Sequence, residues 1–355
     1  MQKLKDLTKK QKIQGIILIA ALLIMLVVPN TVGMSTSSWS IMITVLLYMF
    51  YASSWNIMGG YTGLFSLGNG IYVGLGAYIT ACLYLYGGIT PWLGIPIAAL
   101  MTGLLSMLIG YPTFKLQNIY YSFATFALLQ VMLVIFKNFK TFFGLFKLGG
   151  AEGLKLSSTV NDPGNMQFLS KVPYYYIILS LLILVLLVSY YISHSKRGFY
   201  FRAISANMNA AASLGVNVMK LKLQAQFLTA FFSAIGGGFY CMFLGYIDPS
   251  KMFGTDLSIN IMIFCVVGGA NTLWGPVLGA GLMYTINRFV TIYAASVPGL
   301  ANIIFGVVLM LVIFFMPGGL IPWFGEMREK RAAARRASEL RAQEQMSAAG
   351  GAGHE

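Results

Sequence analysis

Long, uncharged apolar runs follow one another through most of this chain, and they constrain its fold more than any other feature. Residues 39–58, 92–111 and 173–193 each extend without a single Asp, Glu, Lys or Arg. A helix of about 20 such residues crosses the roughly 30 Å hydrocarbon core of a bilayer. With 57% hydrophobic and 10% charged residues, the chain carries more apolar surface than a soluble domain buries. The runs are continuous and not alternating, so the sequence predicts an all-α integral membrane protein, a polytopic helical bundle.

The apolar runs predict about ten membrane segments: 13–29, 39–58, 64–86, 92–111, 119–138, 173–193, 223–246, 258–270, 275–295 and 299–316. Segment 258–270 is too short to cross as a straight helix, so we expect it to be re-entrant or unwound. No small-residue cleavage site follows the first run, which we interpret as a retained span and not as a signal peptide.

The meaning of the net charge of +14 depends on where the basic residues lie along the sequence. They cluster before the first span, around the loop 194–222, and after the last span. This is the positive-inside pattern, so we expect both termini and that loop in the cytoplasm and no nucleic-acid partner. Residues 1–320 form the predicted transmembrane domain, and 321–355 form a basic cytoplasmic tail whose end is expected to be disordered.

Two glycine-dense stretches, 59–77 and 268–281, interrupt the apolar pattern in the two halves of the chain. Interrupted hydrophobic segments at related positions indicate a translocation pathway. Close helix packing is the alternative, and Gly70-x-x-x-Gly74 fits it directly. The candidate pathway residues are Gly63, Ser66, Gly68, Asn69, Gly70, Gly74, Gly269, Asn271, Thr272, Trp274 and Gly275.

Several chemistries are not indicated. No acidic residue occurs between Asp6 and Glu152, and Asp248 and Asp256 are expected in an outer loop, so proton coupling through intramembrane carboxylates is disfavoured, while sodium coupling stays open. The chain has no phosphate-binding P-loop, no metal-ligand cluster and no catalytic motif. We therefore expect no enzyme activity, no catalytic residue and no metal. Arg288, the one base expected inside a span, either snorkels outward or lines a polar cavity.

The loop 195–217 is polar, small and basic, and it predicts a short helix outside the membrane at about 204–215. Asn207 suits the N-cap of this helix and Gly215 its end. The alternatives are a docking helix for a partner and an ordinary basic loop.

Four motifs carry a family resemblance: the segments 63–78, 111–116, 197–217 and 268–279. In this order they resemble ABC permeases of the branched-chain amino-acid type, specifically the M-subunit type of the leucine, isoleucine and valine high-affinity uptake system. The resemblance covers about residues 40–320. Within it, Asn209-Ala-Ala-x-x-x-Gly215 is similar to the EAA-type coupling loop, with Asn209 in place of the usual Glu.

This resemblance implies an ABC importer permease in the bacterial inner membrane that moves branched-chain or other neutral amino acids into the cytoplasm. It implies as partners a related second permease, two cytoplasmic ATPases that hold ATP and Mg²⁺, a periplasmic binding protein and membrane lipid, with no cofactor on this chain. A urea or short-chain amide permease, a stand-alone secondary transporter and a non-transporting scaffold remain alternatives. The residues implied in ATPase coupling are Arg202, Asn207, Asn209, Ala210, Ala211, Ser213, Leu214, Gly215, Val216 and Asn217.

Overall fold

The computed structural model describes residues 35–116, 118–142, 146–156, 161–293, 299–316 and 318–323, together with Gly325 and Met327. The predicted first span at 13–29, the basic residues before it and almost all of the predicted tail lie outside the described residues.

Within these ranges the chain is mainly helical. The helices are α1 (Thr36–Met58), α2 (Asn69–Leu85), α3 (Pro91–Thr113), α4 (Asn118–Asn138), α5 (Val172–His194), α6 (Lys196–Ala206), α7 (Met208–Ser213), α8 (Val218–Leu244), α9 (Pro249–Met252), α10 (Thr255–Gly268), α11 (Gly275–Tyr293) and α12 (Leu300–Phe315). Four two-residue strands, β1 (Thr141–Phe142), β2 (Phe146–Lys147), β3 (Leu154–Lys155) and β4 (Tyr246–Ile247), form two antiparallel pairs, β1 with β2 and β3 with β4.

Six stretches in the described chain are long and apolar enough to cross a membrane: the helices α1, α3, α4, α5 and α8, and residues 249–268. The predicted count of about ten segments is not confirmed. Helix α2 has 17 residues, about 25 Å of helical rise, because the stretch 59–68 that precedes it is not helical.

The segment predicted as 258–270 differs from the expectation. It is a regular helix that begins at Thr255 and ends at Gly268, and the irregular backbone starts only at Gly269. Asp256, expected in a loop, lies exposed in the first turn of this helix. The sequence pattern places this start too late, because it counts only the apolar residues.

Helix α8 lies at the centre of the bundle and packs against α1, α2 and α3. The contact with α2 is a backbone contact: a Cβ added at Gly237 would collide with the carbonyl oxygen of Val73. Small residues allow helices to approach this closely. We refer to this contact as the α2–α8 seam.

The helices α6 and α7 mark one end of the bundle, and the β3–β4 pair marks the other. The first Gly-rich loop (59–68) begins at the α6–α7 end, where Gly63 lies beside Ser205, and it runs into the bundle as far as Ser258 of α10. The second Gly-rich loop (269–274) lies at the α6–α7 end, where it bonds to Asn56. At the β3–β4 end the described parts of the connection between α4 and α5 (139–142, 146–156 and 161–171) pack against helix ends, and Trp92 Nε1 donates a hydrogen bond of 3.0 Å to the carbonyl oxygen of Pro163.

Candidate functional site

Side chains from neighbouring helices hold the backbone of the first Gly-rich loop. Trp55 Nε1 donates to the carbonyl oxygen of Ser66 at 2.8 Å, and Ser258 Oγ donates to the carbonyl oxygen of Leu67 at 2.6 Å. The nitrogen of Leu67 donates to Thr125 Oγ1 at 3.1 Å. Non-helical backbone inside a helical membrane protein requires such partners, since lipid offers none. The loop therefore has a defined conformation in the structure.

One buried amide, that of Asn56, holds the second Gly-rich loop. Asn56 Nδ2 donates to the carbonyl oxygen of Thr272 at 2.9 Å, and Asn56 Oδ1 accepts from the nitrogen of Asn271 at 3.0 Å. Asn56 is 2% exposed. Asn271 has a φ of +66°, a left-handed conformation that is uncommon outside glycine and asparagine. The Asn56 side chain thus clamps the loop in a conformation that few residues adopt.

Sequence reasoning missed Asn56 because it lies inside a predicted apolar span. A signal was present: an amide in the last turn of an uncharged helix, three residues before Gly59-Gly60. Such a group in a membrane helix needs a polar partner.

The two Gly-rich loops meet at this clamp. A Cβ added at Gly60 would collide with Oδ1 of Asn56 and would lie 2.7 Å from the nitrogen of Asn271. The structure therefore brings the two glycine-dense stretches into one junction at the α6–α7 end, where the bonded residues Asn56 and Asn271 are 215 positions apart in sequence. We call it the Asn56 junction.

The predicted pathway residues differ in their accessibility. Ser66, Gly68, Asn69, Gly70, Gly74, Gly269 and Gly275 are buried; Gly63, Thr272 and Trp274 are half-buried; Asn271 is exposed. Gly74 packs against the ring of Phe253, and Gly70 against Leu129 and Ser258. For Gly70 and Gly74 the packing alternative therefore describes the structure, while Gly63, Asn271, Thr272 and Trp274 keep a surface that a solute could reach.

The predicted short helix in the 195–217 region is present with narrower bounds. Asn207 is its N-cap, with Oδ1 accepting from the nitrogen of Ala210 at 3.0 Å. The helix α7 ends after Ser213, and Gly215 follows with a φ of +82°. Residues 204–206, which the sequence assigned to the same helix, instead end α6, because the extended Asn207 separates the two helices.

The residues predicted to couple to an ATPase do not share one face. Ala211 is buried against this chain's own helices, with 3% exposure, whereas Leu214 is 85% exposed. Arg202 is exposed and donates to the carbonyl oxygen of Ser193 at 3.1 Å. The remaining residues are exposed or, for Val216, half-buried: Asn207, Asn209, Ala210, Ser213, Gly215 and Asn217.

Helix α6 touches the first Gly-rich loop directly. A Cβ added at Gly63 would lie 2.7 Å from Ser205 Oγ. Because the two are in direct contact, a displacement of α6 acts directly on the first Gly-rich loop. Through this loop it also acts on the Asn56 junction.

A basic residue inside the bundle was also missed. Lys222, counted from sequence among the charges that flank the cytoplasmic loop, lies in α8 and is only 3% exposed. Arg288, the one base expected within a span, is exposed on α11. The span predicted from 223 begins too late, since α8 starts at Val218.

The described residues contain no group of three or more His, Cys, Asp or Glu side chains that could hold a metal ion. Long apolar helices, two interrupted segments joined at one junction, and an exposed pair of short helices beside that junction together define a polytopic helical membrane protein of the transport class.

The chain belongs to the family described as the permease component of the branched-chain amino acid transport system, whose model matches residues 37–313. It is 24% identical over 337 residues to the high-affinity branched-chain amino acid transport system permease protein LivM of Escherichia coli K12, an alignment that covers 89% of this chain and 76% of that protein. It is 24% identical over 323 residues to the probable branched-chain amino acid transport permease protein LivM of Methanocaldococcus jannaschii, covering 78% of this chain and 90% of that protein. A shorter alignment, 28% identical over 141 residues and 38% of this chain, relates it to the autoinducer 2 import system permease protein LsrC of Salmonella typhi. No solved structure matches the chain.

Proposed function

We propose that this chain is the transmembrane permease subunit of an ATP-driven ABC importer that carries branched-chain or other neutral amino acids into the cytoplasm. The contact between Ser205 of α6 and Gly63 of the first Gly-rich loop carries the proposal. It connects an exposed docking region to the junction of the two interrupted segments, the arrangement that a permease driven from outside requires.

The assembly comprises a related second permease, two cytoplasmic ATPases that bind ATP and Mg²⁺, and a periplasmic binding protein, all in or at a bacterial inner membrane. About ten membrane segments, formed by residues 1–320, place both termini and the 321–355 tail in the cytoplasm. The distribution of Lys and Arg supports this orientation. This chain itself holds no cofactor.

The ATPase docks on the exposed part of α6, α7 and the turn that follows. Leu214 is its apolar anchor, because an 85% exposed leucine at a polar surface gains most from being covered. Arg202, Asn209, Ala210 and Ser213 surround it. Ala211 supports α7 from below and does not touch the ATPase.

The translocation pathway passes the Asn56 junction along Gly63, Asn271, Thr272 and Trp274. All four carboxylates of the described residues, namely Glu152, Asp162, Asp248 and Asp256, lie at the β3–β4 end. Beyond Asp256 at that end, a cationic solute would find no counter-charge along the described helices, whereas a zwitterion with an aliphatic side chain carries no net charge and suits apolar walls.

Uptake into proteoliposomes that contain this permease with its second permease, ATPases and binding protein tests the proposal. We expect ATP-dependent uptake of leucine, isoleucine or valine that requires both ATPases. Uptake of urea or amides in place of amino acids would refute the substrate class, and uptake by this chain without the ATPases would refute the ABC mechanism.

A further inference from the structure

One face of helix α8 carries a row of four buried polar side chains. Lys222, Gln226, Thr229 and Ser233 are 3%, 1%, 2% and 0% exposed. Their spacing of four, three and four residues places them on the same side of the helix. We call this set the α8 polar row.

The three deeper members bond to groups on neighbouring helices. Gln226 Nε2 donates to the hydroxyl of Tyr72 at 2.7 Å and to the carbonyl oxygen of Ser106 at 2.8 Å. Thr229 Oγ1 donates to the carbonyl oxygen of Ser54 at 3.1 Å. Ser233 Oγ donates to Oδ1 of Asn69, also at 3.1 Å. Asn69 is the first residue of α2, directly after the first Gly-rich loop. The row therefore forms a stiff connection from the α6–α7 end to the end of that loop.

Among the described residues, Lys222 at the other end of the row has no negatively charged partner, which a buried ammonium needs. Its Nζ lies 3.2 Å from Sδ of Met208, the first residue of α7, and 5.7 Å from the centroid of the Phe114 ring. Both partners are neutral. No carboxylate of the described chain can reach it, since all four lie at the β3–β4 end. An ammonium covered in this way is unfavourable, because the groups that replace water do not carry a negative charge.

We propose that Lys222 is a positioning residue for the coupling helix α7. Its buried charge destabilises the seated position of α7, in which Met208 covers the ammonium. Lys222 also passes the movement of α7 to the first Gly-rich loop. When Met208 lifts, water reaches the ammonium and the desolvation penalty is relieved. The charge thereby lowers the work that a docked ATPase must do to move α7. The α8 polar row then carries the displacement to Asn69. This inference rests on the proposed function, because it assigns α7 to ATPase coupling.

Gln226 in the row and Asn69, which accepts a bond from the row, each carry a further buried polar atom. Gln226 Oε1 and Asn69 Nδ2 are buried and have no hydrogen-bond partner among the residues that the structure describes. One is an acceptor and the other a donor, and such groups are costly to leave unsatisfied. These unsatisfied groups favour rearrangement of the side chains in the row, while the helices themselves stay in register at the α2–α8 seam.

Lys222→Met in the complete transporter tests the proposal, because methionine fills similar space without the charge. We expect normal assembly, a fall of about tenfold or more in uptake per ATP hydrolysed, and slower amide hydrogen exchange in residues 208–213, since α7 then stays seated. Lys222→Arg should keep most of the uptake. The matched control is Lys220→Met, which removes an exposed lysine two residues away and should behave like the wild type.

The direction of the exchange change separates this role from simple packing. A packing role predicts that Lys222→Met lowers the melting temperature and speeds exchange in α7, and that result would overturn the proposal, as would wild-type uptake per ATP. Met208→Ala gives the opposite perturbation: it uncovers the ammonium, so exchange in α7 should become faster and ATP hydrolysis without substrate should rise. The exchange measurement needs no transport, so it still tests Lys222 if the wild-type transporter moves no amino acid and the proposed function fails.

Discussion

The Asn56 clamp makes a quantitative prediction about the second Gly-rich loop. Asn56→Leu keeps a side chain of similar size and removes both the acceptor for the nitrogen of Asn271 and the donor to the carbonyl oxygen of Thr272. Leaving a buried polar group without a partner costs about 1–3 kcal/mol. The loop is partly open to solvent, so we expect about 2–4 kcal/mol for the two groups together, which is a change of about 30- to 1,000-fold in the equilibrium between the clamped and the released loop.

Hydrogen–deuterium exchange of residues 269–274 measures this equilibrium directly, because the nitrogen of Asn271 donates to the clamp. Asn56→Leu should speed exchange at Asn271 by the predicted factor. Asn56→Asp should protect this amide better than leucine does, since it keeps an acceptor and loses only the donor to Thr272. Ser53→Ala is the control, because Ser53 is buried nearby and its one bond within the described chain stays inside its own helix, to the carbonyl oxygen of Met49. Exchange at Asn271 within threefold of this control would refute the clamp.

Three further substitutions follow from the same structure. Leu214→Glu should abolish co-purification of the ATPases while the chain keeps a normal melting temperature. The control Leu169→Glu changes a similarly exposed leucine at the β3–β4 end and should leave co-purification intact. Equal loss in both variants would contradict the docking assignment. Ala211→Glu should lower the melting temperature of the chain even without partners, because it buries a carboxylate at an estimated cost of several kcal/mol; an unchanged melting temperature would show that Ala211 does not support α7. Gly237→Leu should lower the free energy of unfolding by at least about 3 kcal/mol and prevent folding, because it separates α2 from α8. Gly306→Leu on α12 should be tolerated, because an added Cβ there meets nothing within 4 Å. Similar yields of the two variants would refute the seam.

Much of the bundle was predictable because lipid imposes a simple rule on backbone and side chains. The apolar runs predicted α1, α3, α4 and α5 to within a few residues, and the N-cap preference of asparagine predicted the start of α7. Element bounds were wrong where a helix begins with polar residues. Lys222 and Asp256 belong to helices, yet a hydropathy pattern assigns such residues to loops.

The candidate site was predictable only in part. The two glycine-dense stretches were found from composition, and they do meet, but their meeting depends on Asn56, whose partners lie more than 200 residues away. The inward orientation of Ala211 was equally hidden, because a six-residue helix has no periodicity that distinguishes its faces. Long-range hydrogen bonds and the facing of short helices are tertiary properties, and a single sequence does not specify them locally.

The α2–α8 seam limits how this protein can move. Two helices in backbone contact cannot slide past each other without collision, so α2 and α8 move as one rigid body together with α3, which packs against both. Opening and closing must then occur at contacts made by longer side chains and loop hydrogen bonds, which can exchange partners. The Asn56 junction is such a contact, since α10 and α11 pack against α1 and the loop between them is bonded to Asn56 of α1. The glycines of the seam therefore hold the helices rigidly together, whereas the Asn56 side chain forms the contact at which the two parts of the bundle can move.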